Sequence, residues 1–129
     1  MTRVKPVCGM IDFTEQMNWT ELKDREAIER IKDESRTKPV LIFKHSTRCN
    51  ISRAALDRLE RHWNDTEVPE TKLYFLDLLS HRQISDLVAD AFQIEHESPQ
   101  VLLIRDGVAV YHQSHFGIDY DDLRSAIKS

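Results

Sequence analysis

Apolar and polar positions follow two rhythms along the chain. Val40 to Phe43 (VLIF) form an unbroken apolar run after Pro39, and Leu73 to Leu79 (LYFLDLL) form another. Unbroken runs of this length mark strands covered on both faces, since a strand covered on one face alternates. Elsewhere the apolar residues recur at helical spacing. Ala27, Ile28 and Ile31 share a face in DREAIERIKDESR, with Asp24 placed to cap it. Ile51, Ala55, Leu59 and Trp63 recur every four residues with Leu56 alongside, and Ile84, Leu87, Val88, Ala91 and Phe92 form a third stripe. Ser80 with Gln83 three residues on has the pattern of a capping box. Ser98–Pro99 opens VLLIR, and Asp106–Gly107 joins that run to VAVYH, which is a hairpin signal. A last helix is expected from about Asp119. It would turn Tyr120, Leu123 and Ile127 inward and place Asp119, Asp121 and Asp122 where the helix dipole favours negative charge.

With MNWTEL (Met17 to Leu22) as a short first strand, the order is β-α-β-α-β-α-β-β-α. This is an α/β chain with a mixed central sheet flanked by helices, and its first strand–helix–strand unit should pair in parallel through a right-handed crossover. Residues 1–16, with Pro6, Gly9 and weak periodicity, read as an N-terminal extension, and residues 17–129 as one domain. The element order is that of the thioredoxin fold.

Composition narrows the partners. A formal charge of −4 disfavours nucleic acid or an anionic membrane surface as partner. The apolar runs are too short to span a bilayer. The N-terminus, MTRVKPVCGMIDF, lacks the apolar core of a secretory signal. Two cysteines in a chain of 129 residues do not suggest a disulfide-stapled secreted scaffold, so a reducing cytoplasm is the expected location.

The candidate chemistry lies in FKHSTRCNIS (Phe43 to Ser52), where Cys49 stands between the VLIF strand and the next helix. The orphan backbone N–H groups and dipole of a helix start favour negative charge on a sulfur there. A free thiol with a pKa of about 8.5 is mostly protonated at neutral pH, and lowering it by roughly two units would make thiolate the majority form. Arg48 supplies an adjacent positive charge, as would His45 or Lys44 depending on orientation, and Ser52 lies one turn on with its hydroxyl in reach. Cys-Asn-Ile-Ser is thus a Cys-x-x-Cys arrangement with oxygen in place of the second sulfur. A lone thiol cannot resolve its own mixed disulfide and needs an external one. The bland alternative, a buried inert cysteine, stays open on these residues alone.

FKHSTRCNIS, together with ESPQVLLIRDGVAVYHQSHFGI, resembles the YtxJ-type monothiol bacilliredoxins of the thioredoxin superfamily over about residues 17 to 128. The family's usual Thr-Cys-Pro-Ile-Ser is altered here, with Arg48 where threonine would stand and Asn50 in place of proline. The resemblance implies that Cys49 is the nucleophile removing bacillithiol, or a similar low-molecular-weight thiol, from mixed disulfides on S-thiolated cytoplasmic proteins. It implies no bound cofactor, the small thiol acting as co-substrate. It also implies that Pro99 is the cis proline facing the active cysteine, leaving Ser98 backbone free to pair with an extended substrate; from the residues alone a trans proline at a strand start is favoured.

Four further candidates stand outside that motif. Cys8 is a possible resolving thiol. His115 could position substrate, though a solvated or core-capping histidine is the plainer reading. His112 and His115, three apart on a regular strand, would face opposite sides and cannot chelate together, so no metal site is expected. Trp63, in ERHWNDTEVPE, reads as packing beside a solvated loop. Two other functional classes remain: an iron–sulfur carrier like the monothiol glutaredoxins, whose motif has Gly-Phe where Asn50-Ile51 stand, and a redox-inactive module that binds partners through the Pro99 groove.

Overall fold

The computed structural model describes residues 17–46, 48–68 and 70–129. The proposed N-terminal extension and Cys8 lie outside the described residues. Five strands, β1 (Thr20–Glu21), β2 (Val40–His45), β3 (Lys72–Asp77), β4 (Gln100–Arg105) and β5 (Val108–Ser114), form one sheet in the order β1-β3-β2-β4-β5. β1, β3 and β2 run parallel, while β4 and β5 are antiparallel additions on the other side of β2. The helices are α1 (Arg25–Glu34), α2 (Asn50–His62), α3 (Arg82–Phe92) and α4 (Tyr120–Lys128), so the predicted mixed sheet and element order are both observed.

β2 is central and buried at all six positions, and its alternate residues feed two separate cores. Leu41 and Phe43 pack with Ala55, Leu56 and Leu59 of α2 and with Tyr120 and Leu123 of α4. Val40 and Ile42 pack with Ala27, Ile28 and Ile31 of α1 and with Val88 and Phe92 of α3. Asp24 caps α1 by accepting from the Ala27 amide at 2.9 Å, and Asp119 caps α4 by accepting from Asp122 at 3.2 Å. Asp106 and Gly107 both adopt positive φ, 51° and 78°, as a tight two-residue hairpin requires. Their amides donate to the carbonyl and the hydroxyl of Ser35, each at 2.8 Å, tying the hairpin to the end of α1.

Two sequence expectations fail for local reasons. The Ser80–Gln83 capping box does not form: α3 begins after His81, and the Ser80 hydroxyl donates to Asp77 at 3.1 Å, closing the turn after β3. Ala55, Leu56 and Leu59 of α2 are buried as predicted, but the buried face is turned toward Ser52 and Glu60, which leaves Ile51 at its margin and 39 % exposed. That face includes a carboxylate. Glu60 is buried and accepts a 3.0 Å hydrogen bond from the Trp19 indole. Trp63 does pack, edge-on to Tyr120 at 5.4 Å between ring centres.

Candidate active site

Parallel pairing of β2 with β3 and antiparallel pairing with β4 bring several chain segments to one end of the sheet. The carboxyl end of β2 is followed by Cys49, and the Lys44–Gln100 pair places Pro99, one residue before β4, at the same end. Gln100 also pairs with Ser114, so the 3-10 turn His115–Gly117 leaves β5 there too. Ligands of open α/β sheets bind beyond the carboxyl ends of parallel strands, which is this edge.

Cys49 is the N-cap residue of α2, with extended backbone at φ −103° and ψ 119°. Its amide donates to Ser46 at 3.1 Å and its carbonyl accepts from Arg53 at 3.0 Å, so the backbone that carries the thiol is fixed at both ends. The side chain is partly exposed and makes no capping hydrogen bond. Arg48 is exposed beside it.

Beneath Cys49, Ser52 is fully buried and its hydroxyl is already engaged. It accepts from the Ser46 amide at 3.1 Å and lies 2.6 Å from His45 Nδ1. His45 is buried, its ring 5.3 Å from Phe75 and 6.1 Å from Phe43, and its pKa is lowered to about 4. Burial is the main cause; Asp77 pulls the other way and Arg53 adds to the lowering. The ring is therefore neutral at pH 7, and its Nδ1 shares a short hydrogen bond with the Ser52 hydroxyl. This corrects the expectation that His45 would supply a positive charge. Lys44, the other candidate cation, points to the opposite face of the sheet, where its ammonium is 3.3 Å from His96.

The Ser98–Pro99 peptide is cis. The Pro99 carbonyl accepts from the His115 amide at 3.0 Å, and Ser98 makes no backbone–backbone hydrogen bond among the described residues. His115 does not continue the strand, which alters the premise of the chelation argument: it opens the 3-10 turn with φ 55° and is exposed. Phe116, next to it, is 77 % exposed. Among the described residues no cluster of three His, Cys, Asp or Glu side chains is arranged to hold a metal, and no helix is long and apolar enough to cross a membrane.

A cavity of about 500 Å³ runs along the start of α2, lined by His45, Asn50, Arg53, Asp57 and Glu60 among others. The sequence reading missed this wall, since Glu60 sits at a position that helical periodicity alone assigns to neither face with certainty.

The monothiol bacilliredoxin BrxC family model matches residues 20–123. Among solved structures, a protein described as a candidate oxidoreductase with a thioredoxin fold is 28 % identical, superposes with a TM-score of 0.74, and covers 88 % of this chain and 96 % of its own. Two thioredoxins share the fold at lower identity. That of Malassezia sympodialis is 17 % identical, with a TM-score of 0.64 over 84 % of this chain and 86 % of its own. Thioredoxin f of spinach chloroplast, long form, is 18 % identical, with a TM-score of 0.64 over 85 % and 84 %. The family match spans Cys49, the cis Pro99 and all five strands, so the chain belongs to the monothiol bacilliredoxin family and is a thiol–disulfide oxidoreductase.

Proposed function

We propose that the protein removes bacillithiol, or a small thiol of the same kind, from mixed disulfides on cytoplasmic proteins through Cys49. The observation that carries this reading is the Cys49–Ser52 pair. The position that would hold a resolving sulfur holds a hydroxyl, fully buried and bonded to His45 and the Ser46 amide. A helix-start thiol without such a partner exchanges with an external thiol.

In the first step the Cys49 thiolate attacks the small-thiol sulfur of the mixed disulfide. A new S–S bond joins Cys49 to the small thiol, the old S–S bond breaks, and the target cysteine leaves as a thiolate that takes a proton from water. In the second step a free molecule of the same small thiol, as its thiolate, attacks the adduct. It releases the symmetrical small-molecule disulfide and regenerates Cys49, so one disulfide is conserved throughout.

The backbone N–H groups opening α2 and the exposed Arg48 guanidinium stabilise negative charge on the sulfur. Ser52, held by neutral His45, fixes the first turn that presents those groups. Ser98 offers unpaired backbone to an extended target segment, beside Pro99 and His115. The cavity along α2 falls within the usual size for small-ligand sites, and its lining offers Arg53 beside the carboxylates of Asp57 and Glu60 to the polar groups of a small thiol.

The test is turnover of an S-bacillithiolated protein followed by intact mass, alongside the same protein carrying glutathione. Wild type and Cys8→Ser should both release the reduced target, and Cys49→Ser should not. Loss of activity in Cys8→Ser alone would replace this reading with a two-cysteine cycle. A preference for the glutathione conjugate would reject bacillithiol as the co-substrate.

A further inference from the structure

The face of the sheet opposite Cys49 holds a polar cluster, two of its three side chains fully buried, that the chemistry above does not use. Lys44 and Ser85 are both fully buried, one on β2 and one on α3. Their side chains converge on a single atom: His96 Nδ1 lies 3.3 Å from Lys44 Nζ and 3.0 Å from Ser85 Oγ. An ammonium can only donate, and a neutral imidazole offers one acceptor nitrogen, so Nδ1 is that acceptor with the proton on Nε2, and Lys44 and Ser85 share its one lone pair. Burial, Lys44 and Arg82 all hold the His96 pKa down, against weaker opposite pulls from Asp86 and Glu97, which keeps Nδ1 unprotonated.

His96 belongs to the segment that leads into Ser98 and the cis Pro99. That segment is pinned at neighbouring points as well. The buried Gln100 amide donates to the Glu95 carbonyl at 3.0 Å and accepts from the Glu97 amide at 3.4 Å, while the Ser114 hydroxyl donates to the Glu97 carboxylate. The Gln100 clasp is local to this stretch of chain, and Ser114 ties it to the neighbouring strand. His96 adds polar anchors on β2 and α3, where Ile94 already packs on the same core and donates its amide to the Ala89 carbonyl at 3.2 Å.

We propose that His96 is a positioning residue: through Lys44 and Ser85 it fixes residues 94–98, and so sets the Ser98–Pro99 edge on which a target polypeptide pairs. The inference rests on the reading that this edge meets the target, and it assigns recognition to a cluster on the far face of the sheet from the thiol.

The experiment uses the full chain with His96→Ala, His96→Asn and His96→Gln. Asparagine places an amide oxygen close to the position of Nδ1, whereas glutamine places it nearer Nε2. In His96→Ala, amide hydrogen exchange over residues 94–98 should accelerate about tenfold, as expected for loss of buried hydrogen bonds, with β2 and β3 unchanged. KM for an S-thiolated protein should rise several-fold, while kcat and the alkylation rate of Cys49 by iodoacetamide stay within about twofold. Asparagine should restore both readouts and glutamine should not. Ser85→Ala should shift exchange in the same direction by less, and it serves if His96→Ala does not fold. Unchanged exchange in the alanine variant, or equal rescue by glutamine, would overturn the proposal. So would a loss confined to kcat with slowed alkylation. If wild type itself fails to turn over any S-thiolated protein, the functional reading falls, yet the exchange data still decide whether His96 orders the segment.

Discussion

Lys44 and His45 are neighbours in sequence, both buried, both ionisable, and both at the carboxyl end of the central strand, yet they belong to different structures. His45 faces α2, where its neutral ring is hydrogen-bonded to Ser52 one turn after the nucleophile. Lys44 faces α3, where its ammonium meets His96 in the segment before Pro99. One residue's step along a strand reverses the face, so two adjacent polar residues support opposite halves of one site. Burial lowers both pKa values, His45 to about 4 and Lys44 to about 8, but the consequences differ at neutral pH. His45 is relieved of its charge, and Lys44 retains most of its own at a cost in stability.

Changes on the His45 face should reach chemistry, and changes on the Lys44 face should reach stability and recognition. Cys49→Ser gives the largest effect, reducing thiol transfer to the uncatalysed background in a stopped assay with an S-thiolated protein. Next is Ser52→Ala, which leaves the Ser46 amide and His45 Nδ1 without their buried partner. It should cost about 1–3 kcal/mol in urea unfolding and slow alkylation of Cys49 by loosening the first turn of α2.

Lys44→Met comes third and has the opposite sign. Between about pH 8 and 10.5 the unfolded chain holds a proton on Lys44 that the folded chain has released, so wild-type stability rises with pH across that window. The methionine variant should lack that rise and, at pH 7, melt a few degrees higher than wild type by calorimetry. A linkage effect of similar size to that of Lys44 is expected at acid pH. His45 is protonated in the unfolded chain below about 6.5 and in the folded chain only below about 4, so stability falls as pH falls through that interval. His45→Asn, which keeps an acceptor near Nδ1, should flatten that part of the urea-midpoint profile.

The same contrast explains what the sequence makes legible. The buried run at β2, the apolar stripes of α1, α3 and α4, and the Asp106–Gly107 turn are short-range patterns, and each appears where the periodicity puts it. Cys49 at a strand–helix junction is equally local. The environment of its neighbours is not. Whether His45 or Lys44 faces the thiol depends on strand phase, and the charge of His45 depends on Phe43 and on Phe75, the latter from a strand thirty residues away in sequence. His96 shows the limit most clearly. In IEHESPQ it sits in a polar loop with no periodicity, and its partners come from β2 and α3. The capping-box misreading has the same origin, because Ser80 answers to Asp77 at the end of the preceding strand and not to the helix ahead.

The most direct test of a single-thiol cycle at Cys49 is a single-turnover transfer with Cys8→Ser, mapped by peptide mass spectrometry before and after free bacillithiol is added. The account predicts one bacillithiol adduct, on Cys49, with the target fully reduced, and loss of the adduct only when external thiol is present. An adduct elsewhere, or spontaneous release without added thiol, would contradict it.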